Sequence, residues 1–197
     1  MLNIEELKNI LEKTSVDKVV IIIRHAEKAD RNTDSLLTEE GITKTEEFAK
    51  KIKNLDLNMK IYSSPELRCI KTAKIINQIF SNNENDIVLT KKLGDPGIQI
   101  KNKNKYLKLY SANRCRDIYL EWKKGKYRDI LYPPDILKEK SEIFLKKTCE
   151  DNGITLYISQ SGTVAHLGYV FNKKEYSVEF GEWVDFLDGF FILNPKY

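Results

Sequence analysis

Two short strings in this chain hold residue types that can do chemistry. The first is Ile23-Arg24-His25-Ala26-Glu27-Lys28, which follows directly on the apolar run Val19-Val20-Ile21-Ile22-Ile23. The second is Ile61-Tyr62-Ser63-Ser64-Pro65-Glu66-Leu67-Arg68. A β-branched run of this length reads as a fully buried strand, so His25 stands where a strand ends. Open α/β sheets gather their ligands at the carboxyl ends of the strands. There, a neutral imidazole beside a guanidinium can attack phosphorus while the guanidinium holds phosphoryl oxygens in a planar fork. An Arg-His dipeptide alone is more often a structural histidine next to a surface arginine, so the surrounding pattern decides.

The elements that must position these residues follow from periodicity and punctuation. Ile4, Leu7, Ile10 and Leu11 share one face of a helix over 4–14. Lys18 to Arg24 is the buried strand. After a polar turn at 30–35, Thr38 is placed to cap a helix that buries Ile42, Phe48, Ala49 and Ile52. Lys60 to Ser63 is a short strand, and Ser64-Pro65 starts a helix through Ala73, Ile76 and Ile79. Asp86 to Thr90 is a further strand, and a helix is predicted over 112–124. Asp135 caps the next helix after the Pro133-Pro134 break. Ile154 to Ser159 is a strand, 162–171 reads as loop then helix, and 176–193 as one or two strands joined near Gly181. Strands alternating with helices predict a layered α/β fold with a largely parallel sheet. No linker or repeat divides the chain, so 1–197 reads as a single domain.

Three strings in order, "RHAEK" from Arg24, "LTEEG" from Leu37 and "SSPELRCIKTA" from Ser63, closely resemble the histidine phosphatase superfamily, the phosphoglycerate-mutase-like fold. The resemblance covers about residues 18–90 and resumes near 154–193, leaving a basic variable insertion at about 95–150. It implies a three-layer α/β/α sandwich and phosphoryl transfer through a phosphohistidine, with neither metal nor cofactor. His25 then matches the nucleophile, and Arg24 and Arg68 match the arginines that bind phosphate. The attacking imidazole must be neutral, and an acceptor on Nδ1, a backbone carbonyl by expectation, would fix its tautomer. The family carries a second active-site histidine after a late strand. Here the matching string is Ser159-Gln160-Ser161-Gly162-Thr163, and Gln160 replaces that histidine. Its amide can donate to a phosphoryl oxygen but carries no charge. His166 is read as a packing residue. Asp95, in Gly94-Asp95-Pro96-Gly97, falls where one branch of the family keeps its proton donor, although Asp before Pro-Gly is also a turn device. Ser161 cannot donate a proton in this way, and Glu27 is expected to orient the loop after His25.

Composition sets the outer bounds. With 197 residues, 41% of them hydrophobic and 31% charged, the chain can bury a core without staples and is neither disordered nor fibrous. No apolar run approaches a membrane span. Three scattered cysteines and no basic N-terminal leader favour a cytoplasmic protein with free thiols. The net charge of +4 does not point to nucleic acid. Residues 101–128, however, hold ten Lys and Arg against Asp117 and Glu121, together with five aromatic side chains. That segment reads either as a solvated helix face or as a collar attracting an anionic ligand. The function expected is hydrolysis of a small phosphate monoester. The alternatives are an impaired relative that binds a phospho-ligand or regulates a partner, and an active phosphatase in which Gln160 was engineered.

Overall fold

The apolar run forms β1 (Lys18–Arg24), and strict alternation assigns its side chains to two cores. Val19, Ile21 and Ile23 face one layer of helices, and Val20 and Ile22 face the other. Burial on both faces explains why the run is continuous rather than alternating, as sheets covered on both sides require. Each of these side chains contributes about 1.5–3 kcal/mol by leaving water. The structure, a computed structural model, describes residues 2–29, 36–81, 87–94, 96–173 and 183–195.

On one face lie α1 (Ile4–Lys13), α2 (Glu39–Lys53) and α3 (Leu67–Phe80), which contribute Leu7, Ile52 and Ile76 among others. On the other lie α5 (Cys115–Lys123), α6 (Pro134–Thr148) and α7 (Ser161–Asn172), with Trp122, Leu145 and Val164. The short helix α4 (Lys103–Ala112) has no buried residue and precedes α5. Between the layers runs a sheet of five strands among the described residues, in the order β3-β2-β4-β1-β5. Here β2 is Met59–Ser63, β3 Ile87–Leu89, β4 Gly153–Ser159 and β5 Gly189–Leu193. β1, β2, β3 and β4 run parallel, and β5 lies antiparallel against β1. This is the three-layer, largely parallel architecture expected from the sequence.

Register brings three strand ends to one edge. Arg24 pairs with Ser159 across β1 and β4, and Ser63 pairs with Ile158 across β2 and β4. Both ladders continue one step into the loops, where His25 N donates to Ser159 O (3.0 Å) and Ser64 N to Ile158 O (2.9 Å).

Several local expectations shift. The helix predicted over 112–124 is α5, which starts three residues later, and an unpredicted helix, α4, precedes it and ends at Asn113, whose backbone is extended. α6 starts at Pro134 with Pro133 as its cap residue, so Asp135 lies in the first turn instead of capping it. A ring-fixed φ at the first position makes Pro134 a natural start. α7 begins at Ser161 without an intervening loop. Gly162 in its first turn lets α5 pack closely, because a Cβ there would lie 2.5 Å from the Cys115 Sγ of α5. The turn at 30–35, Asp86 and the region around Gly181 lie outside the described residues.

Candidate active site

The aligned strand ends open into one pocket of about 790 Å³. Arg24 and His25 enter it from the end of β1, Glu66 from the β2–α3 turn, Arg68 from the first turn of α3, and Gln160 from the β4–α7 junction. α4 and α5 close one side with Tyr106, Leu107, Tyr110 and Cys115. The N-termini of α3 and α7 both meet the pocket. Their partial positive charge favours an anion there, in addition to the side chains.

His25 is buried, and its Nδ1 lies 2.7 Å from Ala26 O. A carbonyl only accepts, so Nδ1 carries the proton and Nε2 keeps its lone pair. Burial pushes the imidazole down to about 3, with Arg24 and Arg68 adding repulsion against only the Ala26 bond. The ring is therefore neutral at pH 7. It is also tilted against Phe186, 5.8 Å away.

Arg24 is anchored from the β5 side. Its Nη1 donates to Val184 O at 2.7 Å, and its Cζ sits 3.8 Å over the Phe186 ring. Burial, opposed by Asp185 and helped by Arg68, lowers this guanidinium to about 10, which leaves it charged at neutral pH. The Nε atoms of Arg24 and Arg68 and Thr163 Oγ1 are buried without a hydrogen-bond partner among the described residues. Buried polar groups are nearly always paired, and these three line the same pocket, so an anion bound there would complete them.

Arg68 is not free of its own protein. Its Nη2 forms an ion pair with Glu66 Oε2, and the other Glu66 oxygen accepts from Gln160 Nε2 at 2.6 Å. Gln160 Nε2 also donates to Ser64 Oγ at 3.2 Å. Both amide hydrogens of Gln160 are thus engaged within the protein. A carboxylate only accepts, so Glu66 dictates that the amide nitrogen faces it. The expectation that Gln160 donates to a phosphoryl oxygen therefore needs one of these bonds to break. Gly94 keeps this cluster tight, since a Cβ there would collide with Ser64 Oγ and Gln160 Nε2.

Other candidates sit elsewhere. Glu27 accepts from Thr38 Oγ1 (3.3 Å) and its carbonyl from Thr38 N, so it orients the loop after His25. Thr38 itself caps α2 through the Gly41 amide at 2.8 Å. His166 is buried, bonded from Nδ1 to Gly162 O at 2.6 Å and flanked by Trp122 and Tyr119. It is absent from the pocket lining and packs the layer beneath. Asp95 lies outside the described residues; its neighbour Pro96 lines the pocket, and Gly94 touches the Gln160 cluster. Of the basic segment, Lys103 reaches the pocket lining, whereas Lys105 pairs with Asp129 at 2.7 Å and Lys101 Nζ donates to Arg128 O. Sequence reasoning missed Glu66 as a pocket residue. Its signal was an acid two residues before Arg68, inside the loop that must face the ligand.

Residues 20–94, the stretch that holds Arg24, His25 and Arg68, match the family described as the histidine phosphatase superfamily (branch 1). Fold and family match point the same way: residues 20–94 resemble the histidine phosphatase superfamily, and the architecture is phosphoglycerate-mutase-like. Among individual proteins, the chain is 28% identical over 172 residues to the 2,3-bisphosphoglycerate-dependent phosphoglycerate mutase of Thermoplasma acidophilum, covering 80% of this chain and 78% of that one. Its fold is similar to phosphoserine phosphatase of Entamoeba histolytica in complex with 3-phosphoglyceric acid, with a TM-score of 0.54 at 20% identity, over 90% of this chain and 95% of that one. It is also similar to phosphoglycerate mutase from Bacillus anthracis, with a TM-score of 0.53 at 17% identity, over 93% and 94% of the two chains.

Proposed function

We propose that this protein hydrolyses a phosphate monoester through a phosphohistidine at His25. The observation that carries this reading is the protonation geometry of His25. Nδ1 is pinned to Ala26 O, burial keeps the ring neutral, and Arg24 and Arg68 line the same pocket. His25 Nε2 attacks phosphorus in line, the N–P bond forms, and the ester P–O bond breaks. Arg24 and Arg68 offset the charge on the equatorial oxygens, so the step runs without a metal ion. The leaving alkoxide takes a proton from Asp95. Water then attacks the phosphohistidine and returns a proton to the Asp95 carboxylate, the N–P bond breaks, and inorganic phosphate leaves with the ring neutral again.

The test is the intermediate. Incubation with a labelled phosphate monoester and rapid acid-free quenching should give a base-stable, acid-labile phosphoprotein, unaffected by chelator and absent from His25→Ala. Turnover by pure His25→Ala protein would exclude the mechanism. A second reading, a phospho-ligand binder with little turnover, is favoured by the Glu66 cluster. Its ion pair with Arg68 and its hold on Gln160 occupy two groups that catalysis would use. A binder would take up phosphate or vanadate without forming the phosphoprotein.

A further inference from the structure

Glu66 stands at the cap position of α3, yet its carboxylate makes no capping bond. It turns to Arg68 and Gln160 instead, with a quarter of its side chain exposed. It is the one carboxylate among the described residues that line the pocket. The same pocket is lined by the stacked pair Tyr106 and Tyr110, whose rings lie 5.8 Å apart. Burial above all raises the Tyr110 hydroxyl, with Cys115 and, more weakly, Glu66 adding to it. A carboxylate and aromatic faces in one pocket are the chemistry that attracts a cation. Beside them, Arg24 and Arg68 supply the chemistry that attracts a phosphate.

Resting on the phosphate-site reading above, we infer that Glu66 determines specificity: it favours phosphate monoesters whose alcohol carries a cationic group and disfavours those carrying a second carboxylate. The phosphoryl group itself is tolerated because two guanidiniums outweigh one carboxylate. A further anion on the alcohol meets Glu66 unfavourably, and an ammonium meets it favourably. Lys28 and Lys103 line the pocket as well, so anions are not repelled by the pocket as a whole. The distinction is local to Glu66 and must change when its charge is removed. For a charge roughly 6 Å away, an effective dielectric between 20 and 80 makes this worth about threefold to a hundredfold, centred near tenfold.

Three two-carbon monoesters isolate the effect: phosphoethanolamine, ethyl phosphate and phosphoglycolate. Their kcat/KM values are measured on the full chain and on Glu66→Gln, which keeps the side-chain length and a hydrogen-bonding carbonyl. Their Kd values are measured by calorimetry on His25→Ala with and without Glu66→Gln. The expected result is a preference for phosphoethanolamine over phosphoglycolate that shrinks about a hundredfold in the proteins carrying Glu66→Gln, with ethyl phosphate between them and about tenfold from each. An unchanged ratio, with turnover intact, overturns the role of Glu66 and leaves the phosphatase reading standing. The expected binding order without any turnover supports the role of Glu66 and removes the hydrolytic reading. Failure of all three to bind overturns both.

Discussion

The amide of His25 donates to the carbonyl of Ser159 at 3.0 Å, one step beyond the Arg24–Ser159 register pair. The backbone of the proposed nucleophile is thereby clipped to the strand that leads directly into Gln160. The two positions are held by the sheet and not by their side chains, so each side chain can be replaced while the other keeps its place.

The first expectation follows from that clip. His25→Ala should fold, because the backbone bonds at residue 25 survive, and should lose turnover with every phosphate monoester. Circular dichroism with phosphate-release assays checks both parts. Residual turnover in a homogeneous preparation points to another nucleophile.

Arg68 offers a planar fork of which one arm pairs with Glu66 and the buried Nε has no partner. Arg68→Ala should weaken vanadate inhibition about tenfold or more, and Arg68→Lys should restore it only partly, since a point charge cannot replace the fork. Inhibition constants indistinguishable between Lys and Arg would argue for simple charge attraction.

Gln160→His should raise kcat about tenfold or more, because a charge-assisted bond to the transferring group replaces a neutral one. The ring would stand beside Glu66, which favours its charged form, and in the same pocket as Arg24 and Arg68, which oppose it. Since the charged ring exists below its pKa, and an imidazole titrates near 6.5, the gain should grow as pH falls toward about 6. A kcat–pH profile decides; a variant no faster than the unmodified protein at any pH between about 5 and 8 means that the ring does not meet the transferring group.

Burial lowers His166 to about 4. The folded state therefore prefers the neutral ring, and the stability that goes with it is fully present above pH 6.5 and declines as pH falls toward 4. At about 1.4 kcal/mol per pH unit, the loss reaches about 3 kcal/mol. His166→Phe keeps the ring contacts with Trp122 and Tyr119 and should remove that part of the decline. Urea titrations at pH 7, 5.5 and 4.5 measure it, and equal slopes in both proteins would place the acid sensitivity elsewhere.

Lys103 lines the pocket while Lys105 is paired with Asp129. Lys103→Gln should raise KM at low salt and flatten its salt dependence, and Lys105→Gln should leave KM unchanged. Identical effects of the two substitutions would return the whole segment to general surface charge.

What could be read from sequence was what is local. The β1 run, the Thr38 cap and the strand-end positions of His25, Ser63 and Gln160 follow from short-range pattern, and the structure contains them. The Glu66–Gln160 bond joins residues 94 positions apart and is a product of sheet order, which periodicity does not encode. The helix α4 was hidden for another reason. It has no fully buried residue, only Tyr106 and Leu109 half-buried against the core, so its sequence shows no strong apolar stripe. Ala26 O as the partner of Nδ1 depends on a single side-chain rotation, which no spacing rule reports.

The sheet order also dictates a sequence of events during synthesis. β1 is flanked by β4 and β5 alone, and Arg24 takes its backbone partner Asp188, its carbonyl Val184 and its aromatic platform Phe186 from the segment that leads into β5. A chain emerging from the ribosome exposes its most apolar strand first and supplies that strand's neighbours last. Until β4 emerges, both edges of β1 are open to other chains, the kind of exposure that invites chaperone capture or aggregation. The phosphate cradle is correspondingly the final feature to assemble, so nascent chains stalled before residue 184 would have the nucleophile and the arginines but nowhere to hold them.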